Sequence, residues 1–309
     1  MSQRDKGFVD TFYKYTDLSG AQKILRNRTL LFSCPSRLND PFDVYIDDLF
    51  GMDIEEVLDE AKAHFLDAII TDSERLAETF ELDRDQVDQV VEKFKSASQE
   101  KRDAAWERIK KIPAGQIHPD MGKMRENLDA ERQLVSESFA RYGIFCATRT
   151  PRNLLMWAHY ADQHQGCVIG MRPDIKADST FSLLRPIQYS SDRPTFFPPP
   201  REWMATSPAK TSVQQAEEAM NRLLYTKSAE WSYEEELRLA IPNLIPADSR
   251  IYTLNYHPGE LVELYLGVRV SDENGQQLID LARQINPNVR VFKVGLVKGR
   301  FELNLMELE

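Results

Sequence analysis

The spacing of apolar positions divides this chain into two kinds of sequence. Phe12-Tyr13-Lys14-Tyr15-Thr16 alternates as a strand does, and Ala21, Ile24 and Leu25 then fall at helical spacing with Asp17 or Ser19 as the cap. A short apolar strand, Leu30-Leu31-Phe32, leads into a stretch from Ser33 to Asp43 whose Ser, Pro, Asn and Asp content predicts a long polar loop. From about Asp53 to Tyr142 the helical period takes over, through Val57, Ala61, Phe65 and Ile69 and later Met124, Leu128, Val135 and Phe139. Its charged runs, such as SASQEKRDAAWERIKK, read as solvated helix faces, and His64 and His118 are isolated within it.

Strand-like runs dominate the rest: Gly143 to Thr148, Gly166 to Met171, Phe181 to Tyr189, Glu235 to Ile241, Arg250 to Tyr256, Leu261 to Val270, Val289 to Val294 and Phe301 to Met306. Helices are expected near Asn153 to Ala161, Val213 to Tyr225 and Glu273 to Ile285, and the Pro-rich stretch Arg193 to Pro200 reads as a surface loop or lid. Helices this irregularly spaced argue against a βαβ parallel sheet and for an α+β fold with a mixed, largely antiparallel sheet. The expected organisation is a core of residues 1–52 and 143–309 with a helical insert, 53–142.

Composition narrows the function classes. A formal net charge of −10 over 309 residues works against sequence-independent binding to phosphate backbones and leaves room only for a local basic or aromatic surface. The three cysteines, Cys34, Cys146 and Cys167, form neither a C-x-x-C pair nor an even-numbered framework, which fits a reducing compartment and argues against a thiolate metal site. No apolar run approaches the ~18 residues of a spanning helix, and the first residues carry no signal-peptide pattern, so a cytoplasmic protein without a membrane partner is expected. The G-x-G-x-x-G, Walker, H-E-x-x-H and G-x-S-x-G signatures are all missing from the sequence.

Three polar-aromatic segments carry the candidate chemistry. In Trp231-Ser-Tyr-Glu-Glu-Glu-Leu-Arg238, a strand would set Glu234, Glu236 and Arg238 on one face, where carboxylates can stabilise a developing positive charge; the structural alternative is a solvent-facing strand on which Arg238 pairs with Glu236. Asn39-Asp40-Pro41-Phe42-Asp43 offers amide and carboxylate groups in a turn, either for a polar ligand or for the loop's own backbone. On a helix, Trp157 and Tyr160 of Met156-Trp157-Ala158-His159-Tyr160 share a face, suited to stacking on a flat ring or to plain core packing. His159 and His164 are five apart, off a single helical face, and no metal is expected.

These residues carry two resemblances. Tyr13-Lys14-Tyr15, Phe32-Ser33-Cys34-Pro35, Asn39 to Asp43, Trp157-Ala158-His159-Tyr160 and Trp231 to Arg238 resemble, in order, the motifs of a bacterial family catalogued as domain of unknown function 2971. More distantly, Tyr13-Lys14-Tyr15-Thr16 and Glu234-x-Glu236 resemble the opening strand and the E-x-E of ADP-ribosyltransferase-fold toxins, with Lys14 where those proteins carry a histidine. This second resemblance implies an ADP-ribosyltransferase-like core and an NAD-dependent transferase acting on a macromolecule, protein or nucleic acid, in bacterial conflict or phage defence. It implies Glu236 as the carboxylate that stabilises the ribose oxocarbenium and Glu234 as the group that takes the acceptor's proton. It also implies NAD contacts from Lys14, Tyr15, Asn39, Asp40, Phe42, Asp43, Trp157, His159, Tyr160 and Arg238. The apolar stripes of the insert fit a lid, a surface for a regulatory partner or a dimerisation arm equally well. Two other readings stay open: a non-enzymatic nucleotide- or protein-binding sensor, and a metal-assisted hydrolase or nuclease using Asp40, Asp43 and a glutamate.

Overall fold

The computed structural model describes residues 10–45, 49–71, 73–74, 77, 83–109, 111–113, 119–200, 202 and 213–309. Among them the strands are β1 (Phe12–Thr16), β2 (Thr29–Ser33), β3 (Gly143–Thr148), β4 (Cys167–Met171), β5 (Arg185–Pro186), β6 (Gln188–Ser190), β7 (Thr226–Ser228), β8 (Glu236–Ile241), β9 (Ile251–Asn255), β10 (Leu261–Leu266), β11 (Arg290–Leu296) and β12 (Leu303–Leu308). The helices are α1 (Leu18–Asn27), α2 (Ile54–Thr71), α3 (Arg84–Lys95), α4 (Gln99–Ile109), α5 (Pro119–Ala140), α6 (Leu154–Tyr160), α7 (Val213–Leu224) and α8 (Asp272–Ile285). The chain forms two units, one of residues 1–44, 138–193 and 224–309 and one of residues 45–137 and 194–223.

The first unit is α+β. Its main sheet runs β12-β11-β10-β4-β1-β3-β2-β9, with β8 on the other side of β3 and β5 beside β8. Within that sheet only β10 and β11 pair in parallel, so it is mixed and largely antiparallel. Alternation sends Phe12, Phe32, Phe145, Ile169 and Leu237 to one face, where α1 contributes Ala21, Ile24 and Leu25 and α8 contributes Leu278, Ile279 and Ala282. Tyr15, Val168, Tyr265 and Phe292 face the other way and meet Met156 and Trp157 of α6.

Local chemistry sets the helix starts. Asp17 caps α1 by accepting from Gly20 N, Asn153 caps α6 by accepting from Leu155 and Met156 N, and Ser271 caps α8 through Asn274 N. Gly166 permits the crossing below α6, because a Cβ there would lie 2.1 Å from the Thr16 carbonyl oxygen. The strand expected over Phe181 to Tyr189 is broken. Ser179 nucleates a 3-10 turn at Thr180–Leu183, only Arg185 and Pro186 pair with β8, and β6 leaves to pair in parallel with β7 as a separate two-stranded sheet.

The second unit is helical among its described residues. Val57, Ala61, Leu128 and Val135 are buried as their spacing predicts, and Ala77, Val87 and Val91 form a small cluster. His118, Lys110 and the side chains of Phe65 and Ile69 lie outside what is described. The Pro-rich stretch is not a free surface loop: Phe196 and Phe197 are buried, Phe197 packs on Phe50 at 5.1 Å, and its N–H donates to the Leu49 carbonyl. Its aromatic pair, hidden among prolines, has apolar surface to bury.

Candidate functional site

The site begins at a gap in the sheet. β1 pairs with β3 at Tyr13↔Thr148 and β2 pairs with β3 at Ser33↔Ile144, leaving Phe145, Cys146 and Ala147 without a registered neighbour on that edge. An unpaired carbonyl there would be costly, and Lys14 satisfies it: Nζ donates to the Cys146 carbonyl at 2.8 Å. The gap opens into a cavity of about 70 Å³ whose lining includes Lys14, Asn39, Cys146, Tyr160, Lys227, Glu234 and Glu236.

A continuous polar network forms its floor. Asn39 Nδ2 donates to the Tyr160 hydroxyl at 2.7 Å, and that hydroxyl donates to Glu234 Oε1 at 2.5 Å. Lys227 Nζ donates to Glu234 Oε2 at 2.6 Å and to Glu236 Oε2 at 3.3 Å, with Asp43 Oδ2 at 4.0 Å. Arg238 then donates from Nε to Glu236 Oε1 at 2.6 Å, from Nη1 and Nη2 to the two oxygens of Asp43 at 2.8 and 2.7 Å, and from Nη1 to the Leu224 carbonyl at 2.9 Å. Asp43, Lys227, Glu234, Glu236 and Arg238 are all buried. Trp231 Nε1 donates to Asp40 Oδ2 at 2.7 Å, so three hydrogen bonds, one to Asp40 and two to Asp43, tie the loop from Asn39 to Asp43 to the segment from Trp231 to Arg238.

Backbone geometry at one residue makes the two glutamates converge. Ala229–Glu234 is a 3-10 turn, and Glu235 ends it in the left-handed region at φ 46° before β8 starts at Glu236. The expectation that Glu234 precedes Glu236 on one strand is therefore corrected: they come from a turn and a strand, and the left-handed residue between them turns both toward Lys227. Thr148 Oγ1 holds the Glu234 carbonyl at 2.6 Å and the Tyr189 hydroxyl accepts from Glu236 N at 2.8 Å, which pins the reversal from both sides.

Burial and charge pull against each other in this network. Burial alone pushes Glu236 up, but the Arg238 guanidinium and then Lys227 overcome it and bring its pKa down to about 2. Burial acts to lower Lys227, and Glu236, Glu234 and Asp43 outweigh it, so its pKa is raised. Tyr160 is raised by burial and by its bond to Glu234, which keeps its hydroxyl a proton donor. Lys14 is the exception: burial lowers it, and Cys146, Glu236 and Glu234 oppose that only in part.

The residues singled out in the sequence meet different fates. Asn39, Tyr160, Glu234 and Glu236 are in the network and Lys14 lines the cavity. Arg238 is neither a solvent-face residue nor a free ligand donor: it is fully buried and engaged by Glu236, Asp43 and Leu224. Asp40 and Asp43 likewise spend their carboxylates on Trp231 and Arg238, and among the described residues no three of His, Cys, Asp and Glu are grouped to hold a metal. Trp157 is core, with no exposed surface, its Nε1 on the Pro151 carbonyl and its ring edge-on to Tyr15. Tyr15 is buried with its hydroxyl on the Thr150 carbonyl, yet its side lines the cavity. Phe42 is 66% exposed and His159 is also exposed, beside Tyr160 and Tyr233.

Lys227 is the central residue the sequence reading missed. It stands in Thr226-Lys227-Ser228, an unremarkable polar triplet, and its burial depends on the pairing Tyr189↔Lys227 between β6 and β7. Below α6, Asp162, Gln163 and His164 all have left-handed φ, at 45°, 53° and 71°. Gln163 N to Ala158 O, His164 N to Trp157 O and Arg269 N to His164 O hold that run in place, and the His164 ring stacks on Trp157 away from the cavity.

Residues 156–239 match the model of a family described as a protein of unknown function, DUF2971, in agreement with the motif resemblance over that segment. The match contains Tyr160, Lys227, Glu234, Glu236 and Arg238, while Lys14, Asn39, Asp40 and Asp43 come from outside it. No curated protein and no solved structure matches the chain significantly. Among the described residues no helix is long and apolar enough to cross a membrane.

Proposed function

We propose that the cavity beside the two glutamates is the reaction centre of an NAD-dependent ADP-ribosyltransferase acting on a macromolecule in bacterial conflict or phage defence, in a reducing, cytoplasmic setting. The observation that carries this reading is the convergence of Glu234 and Glu236, from a turn and a strand, on Lys227 at the floor of one cavity. Cleavage of the nicotinamide glycosidic bond builds positive charge on the ribose, and a fixed carboxylate lowers that barrier. Glu234 is the better candidate for that role. Both oxygens of Glu236 are held by cationic side chains, whereas Glu234 is linked through Tyr160 to Asn39 at the exposed rim. Glu236 then anchors Lys227 and Arg238. The cavity, at about 70 Å³, is well below the roughly 300 Å³ of a typical small-molecule site, so only the reacting part of NAD would enter it.

A second reading, a binding module without turnover, is favoured by one feature: every carboxylate oxygen of Glu234, Glu236 and Asp43 already has a partner. Incubating the protein with labelled NAD and a bacterial lysate separates the two. Label transferred to protein or nucleic acid, reduced about 100-fold or more in Glu234→Gln at unchanged melting temperature, supports the transferase. NAD binding without nicotinamide release or transfer supports the binding module, and full activity in Glu234→Gln removes the role given to that residue.

A further inference from the structure

The two lysines of the cavity are in opposite situations. Lys227 is pinned by three carboxylates, at 2.6, 3.3 and 4.0 Å, and its charge is spoken for. Lys14 has no carboxylate within ion-pair distance among the described residues. Its ammonium makes one hydrogen bond, to the Cys146 carbonyl at 2.8 Å, and lies 5.3 Å from the centre of the Phe145 ring. A charged amine held against an aromatic ring and a single carbonyl, in a gap between strands, is stabilised far less than one held by carboxylates.

We propose that Lys14 is a carbonyl-reactive amine and that the cavity takes a small aldehyde or ketone as a covalent imine. The groups around it agree with this assignment. Cys146 faces it from β3, Glu236 from β8, Glu234 from the preceding turn and Tyr160 from α6, with Tyr13 and Tyr15 on its own strand; Asp43 and Lys227 complete the charged lining. Burial lowers the pKa of Lys14, and Cys146, Glu236 and Glu234 recover only part of it. The neutral amine keeps one N–H on the Cys146 carbonyl, which orients the nitrogen and leaves its lone pair free. That lone pair forms a C–N bond with the carbonyl carbon as the C=O π pair moves to oxygen. Protons pass from nitrogen to oxygen, water leaves, and a C=N bond remains; one water is released and nothing is oxidised or reduced. The inference stands apart from the NAD reading, since it needs neither NAD nor a macromolecular acceptor.

The test uses the full chain with glycolaldehyde and cyanoborohydride, which reduces the imine to a stable secondary amine, followed by peptide mass mapping. At pH 7, Lys14 should be alkylated faster than the exposed Lys23 and Lys298, because burial leaves more of its amine neutral and the cavity places the aldehyde beside it. The pH profile of its labelling should inflect below the ordinary lysine value, and Lys14→Arg should lose the fast site while keeping a positive charge. Labelling of Lys14 in wild type that is no faster than that of Lys23 and Lys298 overturns the proposal, and this comparison needs no variant to fold.

Discussion

Replacing Arg238 with Met tests the reasoning about the network most directly. The guanidinium is fully buried and holds two carboxylates, Asp43 through paired 2.7 and 2.8 Å bonds and Glu236 through a 2.6 Å bond. Met fills part of the volume and supplies no donor, so Asp43 loses its main partner and Glu236 keeps Lys227 and the Cys146 thiol. Removing one member of a buried ionic group costs about 3–5 kcal/mol, because the remaining charges stay desolvated. The pH dependence follows from Glu236. Its folded pKa, about 2, lies below the ordinary 4.5, so it contributes stability above pH 4.5 that is lost as pH falls toward 2; the displacement corresponds to about 3 kcal/mol at neutral pH. Without Arg238, burial becomes the dominant influence and the pKa of Glu236 rises. Urea denaturation of both proteins at pH 7, 5, 4 and 3 should therefore show a stability gap of about 3–5 kcal/mol at pH 7 that narrows as the carboxylates are protonated. A gap under about 1 kcal/mol at pH 7, or one that stays constant into acid, would refute the view that Arg238 is an electrostatic anchor.

Three further outcomes are expected. Trp157→Ala should cost about 3–5 kcal/mol in urea denaturation, as loss of a core indole does, where a ligand-stacking ring would alter binding and leave stability near wild type. Gln163→Gly should raise the urea midpoint by the equivalent of about 1 kcal/mol, because the residue sits at φ 53° and its hydrogen bonds with Ala158 and Arg269 are made by the backbone; an unchanged or lower midpoint would mean that the side chain matters. Tyr160→Phe should cost only about 1 kcal/mol of stability but lower any NAD-dependent turnover about tenfold or more, since it cuts the link from Asn39 to Glu234; equal turnover in the two proteins would detach Tyr160 from the chemistry.

Hydrophobic period alone determined much of the scaffold. β3 runs over the residues its alternation indicates, Asp17 caps the helix it precedes, and the insert's apolar spacing reappears as buried Val57, Ala61, Leu128 and Val135. Those features are legible because they depend on neighbours within a few residues. The sequence also marked the three segments that meet at the site, since Asn, Asp, Glu, Arg and Trp concentrate there. It did not reveal what each side chain faces. Arg238 and Trp157 have the composition of ligand-binding groups and the surroundings of core residues, and only the pairing of β8 with β3 and the packing of α6 on the sheet decides that. Lys227 carried no local signal at all, because its burial is created by a two-stranded pairing across 38 residues of sequence, Tyr189↔Lys227. The reversal at Glu235 is of the same kind: a left-handed φ on a glutamate is unfavourable in isolation, and it persists here because Thr148 and Tyr189 hold the backbone on either side.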